Sequence, residues 1–90
     1  MELKNTVALM NSDDYKERFK AEYYQTKIRY EKLKAFNNKI EAALFTRNCT
    51  NVVKEPAHDC PPELLREQQR SMGEYLHFLE VRAVIEEIEL

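Results

Sequence analysis

Ninety residues carrying 16 acidic and 14 basic side chains, a formal net charge of −2 and a single glycine suit one small domain. A chain this short buries only about 60–65% of its unfolded surface, which argues against two independent domains. The near-balanced charge argues against attachment to a duplex by phosphate neutralisation alone, and one glycine rules out a glycine-rich nucleotide loop.

The charge is unevenly spread. From Ser12 to Leu44 there are eight Lys or Arg and six Asp or Glu, whereas from Pro61 to Leu90 there are three Arg and seven Glu. The two halves can therefore attract one another, within a chain or between chains. With no basic leader before a long apolar run, and nothing near the roughly 20 apolar residues of a membrane span, the expectation is a cytoplasmic protein with no membrane partner. Cys49 and Cys60 are then expected as free thiols, and the glycosylation triplet Asn48-Cys49-Thr50 is expected to be empty.

Residues 1–11 are mixed, with Leu3, Val7, Leu9 and Met10 apolar. They read either as an arm or as a short helix laid across a neighbour. "NSDD" then signals a helix start, with Ser12 as N-cap and Asp13 and Asp14 where carboxylates meet unsatisfied amides and the positive end of the helix dipole.

Beyond it the pattern is helical for about thirty residues, roughly 45–50 Å of rod. Tyr15, Phe19, Tyr23, Thr26, Tyr30, Leu33, Asn37, Ile40 and Leu44 recur three and four apart, widened by Phe36 and Ala43. No glycine or proline interrupts this run. Residues 45–60 break the period, because Asn48, Thr50, Asn51, Pro56 and Asp59 favour turns, although Val52 and Val53 are candidates to tuck back.

Pro61 and Pro62 permit helix after them but not before, so a second helix is expected over 61–88. Its inward stripe reads Leu65, Gln68, Met72, Tyr75 or Leu76, Leu79, Ala83 and Glu86, supplemented by Leu64. Gly73 costs about 1 kcal/mol against alanine in a helix, and either close approach by a neighbouring helix or simple tolerance accounts for it.

The expected fold is all-α: a long antiparallel helical hairpin of helices 12–44 and 61–88, assembled into an oligomeric helical bundle. Assembly follows from apolar residues outside the paired stripes. Ala21, Tyr24, Ile28 and Ala35 form a second line on the first helix, and Phe78, Val81, Val84, Ile85, Ile88 and Leu90 nearly encircle the end of the second. Glu86, Glu87 and Glu89 would face the negative end of the helix dipole, with Lys16, Arg18 and Lys20 as the basic residues near enough to compensate.

No catalytic constellation emerges. Cys49, His58 and Cys60 lack a fourth ligand and regular zinc spacing, and adjacent residues such as His58-Asp59-Cys60 rarely place nucleophile, base and orienting group together. Glu63 and Glu67 read as a solvated face, and His77 stands alone. The chain is therefore read as a non-enzyme with no metal and no cofactor.

What remains is a mixture of aromatic and basic groups on helical surfaces. Lys20, Tyr24 and Lys27 lie on the first helix, with Arg29 and Lys34, while Arg66 and Arg70 lie one turn apart on the second. A nucleotide-derived ligand needs this mixture, a ring to stack on the base and cations for phosphate. Lys20, Tyr24, Lys27, Arg66 and Arg70 are the candidate ligand-binding residues. A two-helix hairpin has no interior for a ligand needing several hundred Å³, so the site is expected where subunits meet.

The pattern Tyr15, Glu17-Arg18, Glu22, Arg29, Lys32-Leu33 and Phe36, then Leu64-Leu65, Gln68, Met72, Tyr75-Leu76, Leu79, Glu80, Arg82 and Ile85-Glu86, covers Asp13 to Leu90. It resembles short helical-hairpin proteins of bacteriophages and Gram-positive prophages, similar in layout to phage anti-CBASS sponges that sequester cyclic oligonucleotides. The resemblance implies a phage anti-defence protein in the cytoplasm of an infected bacterium, holding a cyclic di- or trinucleotide without cleaving it. It also implies that Tyr24 and Lys27 are the nearest match to the tyrosine and lysine that contact the ligand at a subunit interface in those sponges. Related anti-Thoeris sponges make a cyclic ADP-ribose signal a competing ligand, and an adaptor or inhibitor docking on a host defence protein is the alternative function.

Overall fold

A computed structural model describes residues 1–90. All of its regular structure is helical. A 3₁₀ turn at Leu3–Thr6 runs into α1, Val7–Met10, followed by α2, Tyr15–Phe45, and α3, Pro62–Ile85. The molecule measures 54 × 25 × 22 Å with a radius of gyration of 16.8 Å, against about 12 Å for a rounded domain of this length. The 31 residues of α2 set that long axis.

α2 begins later than its first capping residue suggests. Asp14, in extended conformation, is the N-cap, and its carboxylate accepts from the Lys16 amide at 3.0 Å. Ser12 is used one step earlier, its Oγ accepting from the Asp14 amide while its carbonyl accepts from Arg18 Nη1. The chain leaves α1 in a turn at Asn11, so helical geometry cannot start until Asp14 has redirected it.

The two long helices meet through partners that run in opposite order along them. Tyr15 reaches Glu86, Tyr23 reaches Glu80 at 2.6 Å, Tyr30 lies against Gly73, and Asn37 reaches Leu65 and Gln69. Phe19, Tyr23, Leu76, Leu79, Ala83 and Ile88 form the apolar core, with Tyr24 and Tyr30 packed against it. That core occupies only the early part of α2 and the late part of α3; the rest of the seam turns on Asn37, Ile40 and Ala43.

Four details correct the sequence reading. α3 stops at Ile85 rather than 88, because Glu87 adopts a left-handed φ of 56° and the Ile88 amide returns to the Ala83 carbonyl at 2.8 Å. This is a Schellman closure, and it carries Ile88 into the core instead of leaving it in an outer band. Glu86, Glu87 and Glu89 thus lie past the last turn, where Glu86 joins Arg82 and Tyr15 and Lys16 Nζ reaches the Glu87 carbonyl at 3.3 Å. Arg18 is committed to Ser12 instead.

Third, the polar inward position on α3 is Gln69, not the exposed Gln68. Tyr15, Leu44 and Tyr75, placed on inward stripes, are all exposed. Fourth, the N-terminal residues lie on α2. Thr6 is fully buried, its Oγ1 accepts from Gln25 Nε2 at 2.9 Å, and Ala21 is only 1% exposed. Part of the second apolar line of α2 is therefore covered by the chain's own beginning.

The connection from Thr46 to Pro61 contains no helix or strand. Thr46 anchors it, donating to the Ala42 carbonyl and accepting from the Val53 amide at 2.9 Å. Val53 is half-buried as expected, whereas Val52 is exposed. No helix is long and apolar enough to cross a membrane.

Candidate ligand-binding surface

Charge pairing differs between the two long helices. Each arginine of α3 has a carboxylate three or four residues away along the chain: Arg66 with Glu63 at 4.0 Å, Arg70 with Glu67 at 2.8 Å and Glu74 at 2.6 Å, Arg82 with the C-cap Glu86 at 3.0 Å. The carboxylates raise the pKa of Arg70, and Arg70 in turn lowers that of Glu67. On α2, by contrast, no basic side chain lies within ion-pair distance of a carboxylate.

The reason is partly that tyrosines claim the carboxylates nearest the seam. Glu80 accepts from Tyr23, Glu22 from Tyr75, and Glu86 from Tyr15. Burial first, then the bond to Glu80, pushes the Tyr23 phenol up to about 12. Hydrogen bonds to Glu22 and Glu86 are the main causes that raise Tyr75 and Tyr15. These phenols remain protonated donors at neutral pH, and the carboxylates they engage make no direct ion pair with a lysine of α2.

The structure divides the five sequence-predicted residues among different places. Arg66 and Arg70 border an open groove of about 640 Å³ that Tyr30, Gln69, Gly73, His77 and Phe78 also line. Tyr24 and Lys27 border a second hollow of about 460 Å³, beside Ile28, Glu31 and Lys32. A smaller hollow of about 290 Å³ shares Tyr30 and Gly73 with the first and Lys27 with the second. The three make a trough that crosses the helix seam, and Lys20 borders none of them.

Aromatic packing fixes the α2 side of this trough. Tyr24 stands edge-on to Tyr23 with centroids 5.2 Å apart, and Lys27 Nζ lies 5.6 Å from the Tyr23 ring centre. An ammonium near a ring face is held by the ring quadrupole without being neutralised. Its charge stays available to an anion.

Tyr30, Gln69, His77 and Phe78 were missed as site residues by sequence reasoning, which spent Tyr30 on the inward stripe and Phe78 on an assembly band. Gly73 was the available signal. A β-carbon there would lie 3.2 Å from Tyr30 Cε1, so the missing side chain is what seats the ring in the trough. No group of three His, Cys, Asp or Glu side chains is placed to hold a metal ion. His58 instead faces the Cys60 carbonyl at 2.8 Å and packs edge-on to Phe36.

A family model described as Sequestin matches residues 13–85. No curated protein and no solved structure matches the chain.

Proposed function

The chain belongs to the Sequestin family, and on that premise we propose that it is a phage anti-defence protein that binds a cyclic nucleotide immune signal and withholds it without cleaving it. The family name denotes sequestration, and the resemblance to phage anti-CBASS sponges points the same way. The observation that carries the reading is Lys27, with no carboxylate within ion-pair distance, beside Tyr24 and Tyr30 in a trough of several hundred Å³ across the seam. Base stacking on an aromatic ring and phosphate attraction to a lysine are the two interactions such a ligand needs.

Within this reading Lys27 attracts phosphate more strongly than Arg70, whose charge is already met by Glu67 and Glu74. Lys20 adds long-range attraction, and Arg66, with its more distant carboxylate, lies on the far groove. An antiparallel hairpin is the unit, and copies of it associate through the exposed Tyr75, Phe78, Val81, Val84 and Ile85 of α3. That same apolar band supports the alternative reading, an adaptor or inhibitor docked on a host defence protein.

Calorimetry against cyclic di- and trinucleotides and cyclic ADP-ribose isomers tests the proposal. A ligand should bind, be recovered intact after heat denaturation of the complex, and bind at least about fivefold more weakly to Lys27→Ala than to Arg70→Ala. No heat with any member of the panel refutes sequestration, and a cleaved product refutes the non-enzymatic role.

A further inference from the structure

The side-chain hydrogen bonds that join the first ten residues to α2 all come from Gln25. Its Nε2 donates to Thr6 Oγ1 at 2.9 Å and lies 3.6 Å from the Met10 sulfur. The Thr6 hydroxyl gives its single proton to the Leu3 carbonyl at 2.7 Å, so toward Gln25 it can only accept, as can a thioether sulfur. Both contacts therefore turn the nitrogen of the Gln25 amide toward this segment. Thr6 is the one buried residue among the ten, whereas Met1, Val7 and Met10 are all exposed.

Such a segment adds little to the stability of the fold. Its 3₁₀ turn and its α-helix, four residues each, are too short to hold their form alone, and none of its residues belongs to the apolar core. Weakly held elements of this kind are among the first to open locally. Its far end nevertheless reaches the ligand-binding surface, because Met1 borders the hollow of Tyr24 and Lys27.

Resting on the sequestration reading above, we propose that residues 1–10 are a strap that closes the Met1 side of this hollow on a bound cyclic nucleotide. Gln25 borders none of the hollows of the trough and is the positioning residue that latches the strap through Thr6. A nucleotide held between Met1 and α2 favours the closed strap, and by linkage the closed strap favours the nucleotide to the same degree. The nucleotide enters while the strap is open and leaves when it opens again, so the latch acts chiefly on release. Slow release is the property that a protein withholding a signal needs.

The test is stopped-flow measurement of association and release for the cyclic di- and trinucleotides and cyclic ADP-ribose isomers, with the parent, Gln25→Leu, Thr6→Val and Thr6→Ser. Gln25→Leu and Thr6→Val should release a bound nucleotide at least about threefold faster, the effect of losing one hydrogen bond, while association and helical circular dichroism are kept. Thr6→Ser retains the hydroxyl and should release at the parent's rate, a rescue that general destabilisation would not produce. Hydrogen exchange of the parent should also slow over residues 3–10 when a nucleotide binds, and this measurement decides the matter if the variants fail to fold. Release less than about threefold faster in both latch variants, or exchange over residues 3–10 that does not slow, overturns the strap while sequestration stands. Binding of no member of the panel overturns both.

Discussion

The Tyr30 ring occupies the space that a side chain at residue 73 would need, with Cε1 3.2 Å from the ideal β-carbon position of Gly73. Alanine there gains about 1 kcal/mol of helix propensity but makes the ring give by a few tenths of an ångström. Gly73→Ala is therefore expected to unfold in urea within about 1 kcal/mol of the parent. Gly73→Val, branched and larger, should lose about 1–3 kcal/mol. A valine variant as stable as the parent would show that Tyr30 is not seated on this glycine.

Leu79 is 1% exposed at the centre of the core. Leu79→Ala should cost about 2–5 kcal/mol in equilibrium denaturation, from lost transfer energy and the cavity left behind. An unchanged midpoint would contradict the packing of α3 on α2.

Glu87 takes the left-handed conformation that normally favours glycine. Its contacts are backbone ones, the amide donating to the Val84 carbonyl and the carbonyl accepting from Lys16 Nζ, so Glu87→Gly keeps both and relieves the β-carbon clash. A gain of about 1 kcal/mol is expected, read as a higher denaturation midpoint. A loss would mean that the Schellman closure does not form.

Tyr23 links stability to alkaline pH. Its phenol is raised to about 12 in the folded state, against about 10 when unfolded. A raised folded value means that the native state holds the proton more tightly, so this contribution is complete below pH 10 and disappears as pH climbs towards 12. Urea midpoints should fall across that window in the parent and fall less in Tyr23→Phe. Parallel curves for the two proteins would remove Tyr23 as the cause.

Self-association should depend on the outer face of α3, where Ile85 is 74% and Val84 80% exposed. The parent is expected to sediment as a dimer or larger, and Ile85→Glu as a monomer with unchanged helical circular dichroism. A monomeric parent, or an Ile85→Glu variant that still assembles, would reject this face as the contact.

Much of the helical plan was written locally. The run of three- and four-residue spacings from Tyr15 and the prolines at 61 and 62 fix two long helices, because helix hydrogen bonds and caps join residues only a few positions apart. Tyr24 and Lys27 were likewise legible as neighbours one turn apart, and they share a hollow. Arg66 and Arg70 were legible as a pair, but their carboxylate partners were not weighed, although Glu63, Glu67 and Glu74 stand at the spacings that allow pairing.

The amino-acid sequence by itself determined that the chain is helical, where its long helices run and which faces are apolar, since those follow from short-range periodicity. Tertiary structure alone decided that Gln69 rather than Gln68 meets Asn37, that Ile88 turns back into the core, and that the first residues cover Ala21. Adjacent helical positions differ by about 100° of rotation, so the rolling of one helix on another selects which neighbour faces inward. A trough assembled from both helices exists only once that rotation is set.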